Sequence, residues 1–149
     1  MIAPLISKLH YSNDSIGLQR LVRNVLFINI GFCVITCITL LLIGPYILSY
    51  FGSEFSNGFL PLLILCIGHL VNILAGPAGN VLCMSGFERK AFHAGVLGTL
   101  VNLLLNLFLI PIYGMTGAAI ATAFSFIVWN GLQAYYVKKY IGIKSYLTF

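Results

Sequence analysis

Four long apolar runs, separated by short polar or glycine- and proline-containing segments, dominate the pattern of residues along the chain. A helix needs about 20 mainly apolar residues to cross a hydrocarbon core of about 30 Å. The pattern therefore predicts four transmembrane helices, at about 25–43, 59–84, 91–110 and 114–137. The first run can continue past Gly44 and Pro45 as a kinked extension, and Pro77 predicts a kink in the second.

A different periodicity precedes the first run. Between residues 13 and 24, leucine and valine occupy one helical face and Gln19, Arg20 and Arg23 occupy the other, which predicts an amphipathic helix at the membrane surface. Before it, apolar residues at helical spacing resemble the end of a helix that begins earlier in a longer chain. We therefore divide the chain into a helix end and amphipathic helix (1–24), a transmembrane region (25–137) and a basic cytoplasmic tail (138–149).

Composition supports an all-α, polytopic membrane bundle. Hydrophobic residues make up 60% of the 149 residues and charged residues only 7%, whereas soluble domains carry about 25% charged residues. So few charges cannot cover a surface that faces water, so we expect the lipid bilayer to surround most side chains.

The formal charge of +5 does not indicate a nucleic-acid site, because the basic residues do not form a basic face on a soluble scaffold. All of them flank apolar runs and fall on one side of the four-span topology: Lys8, Arg20, Arg23, Arg89, Lys90, Lys138, Lys139 and Lys144. The opposite loops, 52–58 and 111–116, carry only Glu54. Because lysine and arginine accumulate on the cytoplasmic side, we expect both termini in the cytoplasm.

Small and polar residues mark the contact between the third and fourth spans. Pro111 is expected to end the third span, and Gly114 to turn the chain into a tight hairpin. Membrane helices associate through small residues and hydrogen bonds. The predicted packing stripes are Gly95, Gly98, Thr99, Asn102 and Asn106 on the third span and Gly114, Gly117, Ala118, Ala121 and Ser125 on the fourth. The two asparagines either link the helices or line a polar cavity.

Polar residues in the second span are candidates for substrate contact. His69 lies at membrane depth, where an ionisable group is usually functional, and Asn72 and Asn80 follow it. A neutral histidine bonded to a neighbouring helix is the alternative. Asn29, Asn130 and Gln133 are weaker candidates. The cysteines lie within apolar runs and are expected to behave as small hydrophobic residues, and we predict no metal site.

Five strings in order resemble the C-terminal part of polysaccharide biosynthesis and O-antigen flippase proteins, in the superfamily that includes the multidrug and toxic compound extrusion transporters. They are APLISKLH, QRLVR, GPYILSYFGSEF, GPAGNVLCMSGFERKAF and NLLLNLFLIPIYGMTGAAIATAFSFIVWN. The resemblance implies a larger, two-lobed bundle in the bacterial cytoplasmic membrane that moves lipid-linked oligosaccharide, such as lipopolysaccharide O-antigen units, by alternating access. Its partners would be a polyprenyl-diphosphate-linked oligosaccharide and the missing N-terminal helices of the same transporter.

The resemblance also suggests cationic side chains that meet the diphosphate. Arg89 and Lys90, after the kinked helix, are the nearest candidates, although they also suit a purely orienting role. His69 could add partial positive charge.

Two other functions stay open: a small four-helix exporter, and a membrane assembly subunit that transports nothing. A proton-coupled exporter would need a carboxylate within the membrane, whereas Asp14, Glu54 and Glu88 all lie in predicted loops. An enzyme is not expected, because the sequence contains neither a Walker A loop nor a His-Glu metal signature, and we predict no catalytic residue and no cofactor.

Overall fold

The computed structural model describes residues 3–50 and 58–146. Within these ranges the chain contains no strand and forms the helices α1 (Ala3–Tyr11), α2 (Ser15–Tyr50), α3 (Phe59–Leu74), α4 (Ala78–Met84), α5 (Glu88–Tyr113) and α6 (Met115–Ile141). Four segments of the described chain are long and apolar enough to cross a membrane: α2, α3 together with α4, α5 and α6. The predicted all-α class with four membrane helices is confirmed.

The amphipathic segment and the first apolar run form one helix. With 36 residues, α2 is about 54 Å long, which exceeds the hydrocarbon thickness of about 30 Å. Its first turns, capped by Asp14 through a 2.8 Å hydrogen bond from the Gly17 amide, therefore extend beyond the predicted span 25–43. At the other end, α2 continues through Pro45 to Tyr50. The predicted loop at 52–58, with Glu54, falls mainly on residues 51–57, which lie outside the described residues.

The second span is interrupted at its glycine- and proline-containing segment. Helix α3 ends at Leu74, and α4 begins at Ala78, directly after Pro77. Gly76 lies between them with a φ of 74°, a left-handed conformation that favours glycine, and its amide donates to the Ile73 carbonyl over 2.8 Å. The break divides this span into two helices.

A single residue separates α5 from α6. Gly114 has a φ of 55°, and its amide closes α5 by donating to the Ile110 carbonyl over 2.8 Å. The prediction that Pro111 ends the third span is wrong, because α5 runs through it to Tyr113. Proline removes one amide donor, and so close to the helix end the remaining hydrogen bonds still hold the last turn.

The four spans form a row in the order α2, α3, α6, α5. Neighbours in this order pack extensively, whereas α2 makes no extensive contact with α5 or α6 in the described part of the chain. Within the most apolar stretch of α6, 28% of the residues are buried by protein, against 6% for α5. Helix α6 is therefore central and α5 lies at an edge, with most of its surface left to lipid or to further protein.

The main buried core lies at one end of this row. It joins every helix except α3 to the segment after α6, and its best buried members include Ile6, Val22, Leu82 and Val137. All eight basic residues of the chain lie on segments that meet here, so we call it the basic end. The α5–α6 turn lies at the opposite end.

The segment after α6 packs back onto the bundle. Ile143 is buried in the core, and the Gln19 side chain forms two hydrogen bonds with the Lys144 backbone, donating to its carbonyl over 2.7 Å and accepting from its amide over 2.9 Å. Because α6 continues to Ile141, the predicted tail 138–149 begins within a helix, and its residues 147–149 lie outside the described part.

Candidate functional site

A groove of about 610 Å³ between α2 and α3 contains the polar side chains His69 and Asn29, both exposed. His69 lies ten residues after Phe59, the first residue of α3, which places it about 15 Å along the helix. This is about half of the hydrocarbon thickness of about 30 Å. The imidazole centroid lies 5.3 Å from the ring centroid of Phe126 on α6, and His69 is one of the residues that line the groove. The groove therefore combines apolar walls with an ionisable group at membrane depth.

Three cysteines form the floor of this α2–α3 groove. The Sγ atoms of Cys33 and Cys37 lie 3.9 Å apart, and the Cys37 thiol lies 3.9 Å from the Cys66 carbonyl oxygen. All three are buried, with free thiols, among leucine and isoleucine side chains. They fill the α2–α3 contact as small apolar residues do. Among the described residues, no group of three or more His, Cys, Asp or Glu side chains is placed to hold a metal ion.

Asn72 links α3 to α6 rather than facing the groove. Its Oδ1 accepts a 2.8 Å hydrogen bond from Nδ2 of the buried Asn130, which also donates to the Phe126 carbonyl over 2.8 Å. One turn earlier on α3, a Cβ added at Gly68 would lie 2.9 Å from the Ala123 Cβ, so the helices approach closely there. The weak candidate Asn130 is thus the centre of an interhelical contact.

The α5–α6 hairpin carries a second polar network. Asn102 on α5 donates weakly to Ser125 and Thr122 on α6, over 3.4 and 3.5 Å, and accepts a 2.9 Å hydrogen bond from Asn106. Of the two alternatives for Asn102, the geometry corresponds to a link between helices. Asn106 takes part only through Asn102.

Small residues bring the two hairpin helices together at three places. A Cβ added at Gly98 would lie 2.8 Å from the Trp129 Cβ, and one at Gly117 would overlap the Leu109 carbonyl group. Ala121 is fully buried. Gly95 is a correction: nothing lies within 4 Å of a Cβ added there, so this glycine does not mark a close approach of α6.

The basic end positions Arg89 and Lys90 on the first turn of α5. Lys90 Nζ lies 5.4 and 5.8 Å from the ring centroids of Tyr140 and Tyr136 on α6, which is a cation–π arrangement. Arg89 is exposed, as is Asn80 on α4. The five residues predicted to contact substrate therefore lie in separate places: His69 in the α2–α3 groove, Asn72 in a helix contact, and the other three toward the basic end.

Comparison with known proteins gives two curated relatives, while no family model and no solved structure matches significantly. The chain is 30% identical over 147 residues to the "probable low-salt glycan biosynthesis flippase Agl15" of Haloferax volcanii, which covers 96% of this chain and 30% of that protein. It is also 30% identical over 135 residues to the "capsular polysaccharide biosynthesis protein CapF" of Staphylococcus aureus, covering 89% of this chain and 33% of that protein.

The chain is a relative of polysaccharide biosynthesis proteins, one of which is named as a flippase. The resemblance predicted from the five sequence strings is thereby confirmed. With its four apolar helices, this flippase relative is a multi-pass membrane protein. The chain spans about a third of the length of the curated relatives it matches.

Proposed function

We propose that the chain is the C-terminal portion of a transporter that moves lipid-linked oligosaccharide across the cytoplasmic membrane by alternating access. The observation that carries the proposal is the similarity to a named flippase along 96% of the chain. In this proposal the N-terminal helices of the same transporter supply the other lobe, and the substrate is a polyprenyl-diphosphate-linked glycan.

The row of helices supports a role as part of a larger assembly. A row has two broad faces, and each span buries less than a third of its most apolar stretch within the described chain. One face can meet lipid while the other lines a cavity shared with further helices. The α2–α3 groove, with His69 and Asn29, is the part of the row best suited to line such a cavity, because it brings polar groups to membrane depth.

The basic end gives the proposed orientation. The positive-inside rule places it in the cytoplasm, together with both termini. Arg89, which is exposed there, is then available to meet the diphosphate as the substrate arrives from the inner leaflet. We also propose that the protein lies in the cytoplasmic membrane of a bacterium, because the family resemblance implies this location.

A proton-coupled exporter is less well supported. Asp14 caps α2 and Glu88 is the first residue of α5, so both carboxylates lie at the basic end rather than at membrane depth. Glu54 lies outside the described residues.

The transport proposal is tested by sequencing the DNA upstream of Met1 and reconstituting the complete reading frame in vesicles. The substrate is a fluorescent polyprenyl-diphosphate oligosaccharide, and dithionite bleaches only the label in the outer leaflet. We expect upstream in-frame apolar spans, together with bleaching beyond the outer-leaflet fraction. His69→Phe should slow this transport, whereas His93→Phe, an exposed histidine on α5 outside the groove, should not. Bleaching that stops at the outer-leaflet fraction would contradict the proposal, and equal rates for both variants would remove His69 from it.

A further inference from the structure

A small cavity and an adjoining groove lie where the tail packs against the first turns of α2. The cavity has a volume of about 20 Å³, and its lining includes Arg23, Lys144 and Ser145. The groove, of about 340 Å³, shares Gln19 and Arg23 with the cavity and also includes Arg20 in its lining. We call the cavity and the groove together the tail site. None of its residues lines the α2–α3 groove, so the two sites are separate.

The charged side chains of the tail site are all basic. In the described chain they are Arg20, Arg23 and Lys144, and no carboxylate lines either the cavity or the groove. All three are exposed, and none forms an ion pair within the described residues. Three positive charges at one site, without a counter-charge from the protein, attract an anion.

Ser145, which lines the cavity, carries a buried hydroxyl without a partner. The residue is 1% exposed, and its Oγ forms no hydrogen bond within the described residues. Such a hydroxyl is unfavourable unless a ligand or a water supplies the missing partner. A water needs about 10–15 Å³ of such volume, so the cavity of about 20 Å³ has room for a single oxygen atom. One oxygen of an anion would fill it.

The tail site lies at the level of the lipid headgroups. Arg23 precedes the predicted span, which starts at residue 25, by two residues and Arg20 by five, or by about 3 and 7.5 Å along the helix. The headgroup layer extends about 5–8 Å beyond the hydrocarbon core. On the other side of Arg23, the apolar Leu26 and Phe27 also line the cavity. The basic side chains therefore lie at the depth of lipid phosphates, and apolar side chains follow at the depth of acyl chains.

We propose that the tail site binds the phosphate group of an anionic phospholipid from the leaflet at the basic end. Arg20, Arg23 and Lys144 lie around the phosphate, and one phosphate oxygen enters the cavity and accepts a hydrogen bond from Ser145. A soluble phosphate compound offers the same chemistry, but the depth of the site favours a lipid. Without a carboxylate, the site has no partner for the ammonium group of a zwitterionic headgroup. The inference does not depend on the transport proposal.

Native mass spectrometry of the full chain in detergent measures this binding during titration with phosphatidylglycerol or phosphatidylcholine. We expect phosphatidylglycerol to bind more tightly, and Lys144→Gln to lower its affinity about fivefold, the effect of one basic residue near an anionic headgroup. Lys138→Gln is the matched control. It makes the same substitution at another exposed lysine of the basic end, one that does not line the tail site, and should leave the affinity unchanged.

Ser145→Ala separates a bound phosphate from a serine with a purely structural role. Without lipid the variant loses only an unpaired hydroxyl, so its unfolding by dodecyl sulfate should need at least as much detergent as that of the unsubstituted chain. Its affinity for phosphatidylglycerol should nevertheless fall about tenfold, because a hydrogen bond to a charged oxygen is lost. An unchanged affinity would exclude the phosphate oxygen from the cavity.

Equal affinities for the two lipids, or equal effects of Lys144→Gln and Lys138→Gln, would overturn the proposal. Displacement of bound phosphatidylglycerol by excess inorganic phosphate would show that the site takes a soluble phosphate compound instead. Tighter binding of polyprenyl phosphate than of phosphatidylglycerol would assign the site to the transport substrate, which would also overturn the proposal. Arg23→Gln alters an exposed side chain and should weaken binding about fivefold, so it decides the question even if Ser145→Ala does not fold.

Discussion

Two glycines on α6 have very different surroundings and allow a sharp test of the hairpin. Gly117 approaches the backbone of α5 so closely that an added Cβ would overlap the Leu109 carbonyl group, whereas nothing lies within 4 Å of a Cβ added at Gly131. The same substitution, glycine to alanine, should therefore change stability in opposite directions on one helix.

The expected magnitudes follow from the two environments. Within a helix, alanine is more favourable than glycine by about 0.5–1 kcal/mol, so Gly131→Ala should stabilise by about this amount. Gly117→Ala gains the same amount but must separate two backbones, and overpacking typically costs about 1–3 kcal/mol. The free energies of unfolding of the two variants should thus differ by about 1–3 kcal/mol, with Gly117→Ala the less stable.

The assay is reversible unfolding in mixed micelles with increasing dodecyl sulfate, followed by far-ultraviolet circular dichroism. Cysteines placed on α5 and α6 near the turn report independently whether the hairpin stays closed. If Gly117→Ala were as stable as Gly131→Ala, the close approach of α5 and α6 at Leu109 would be refuted, and with it the role of small residues in this hairpin.

Three further predictions address other contacts. In a double-mutant cycle, Asn72→Ala and Asn130→Ala should show a coupling of about 0.6–2 kcal/mol in the same unfolding assay, and additive effects would argue against the hydrogen bond. Gln19→Ala removes two hydrogen bonds to the Lys144 backbone and should lower the free energy of unfolding by about 1–3 kcal/mol. The control is Arg20→Ala, which alters an exposed neighbour and should have little effect. Similar values for the two variants would contradict the docking of the tail through Gln19. An alkaline phosphatase fused after residue 149 should be inactive in cells, and activity would reverse the proposed orientation.

Residue type alone predicted some contacts of the hairpin but not others. Gly98 and Asn102 both lie on the predicted stripe and both meet α6. Gly95 belongs to the same stripe, yet it faces a groove. Periodicity identifies a face of a helix, but it contains no information on where along that face the neighbouring helix separates, because the separation depends on how all the side chains of the two helices pack together.

The candidate sites show the same limit. His69 was identified because an ionisable side chain is costly in lipid, which is a property of the residue itself. Asn72 has a similar cost, but its partner Asn130 is 58 residues away, and no local pattern connects them. The docking of the tail through Gln19 and Lys144 joins residues 125 positions apart and was not predicted, although the apolar Ile143 after the helix-ending Gly142 was a signal that could have suggested it.

The sequence by itself determined that lipid surrounds most side chains, how many helices cross the membrane and at which end of the bundle the basic residues lie. These properties depend on the transfer of individual side chains between water and lipid. Transfer energies add along the chain and need no partner. Only the tertiary structure decided the order of helices in the row, the α2–α3 groove, the tail site and which polar groups are paired. Those depend on surfaces that are distant in sequence and meet only when the helices pack, and between membrane helices that packing rests on close steric fit rather than on a general apolar attraction.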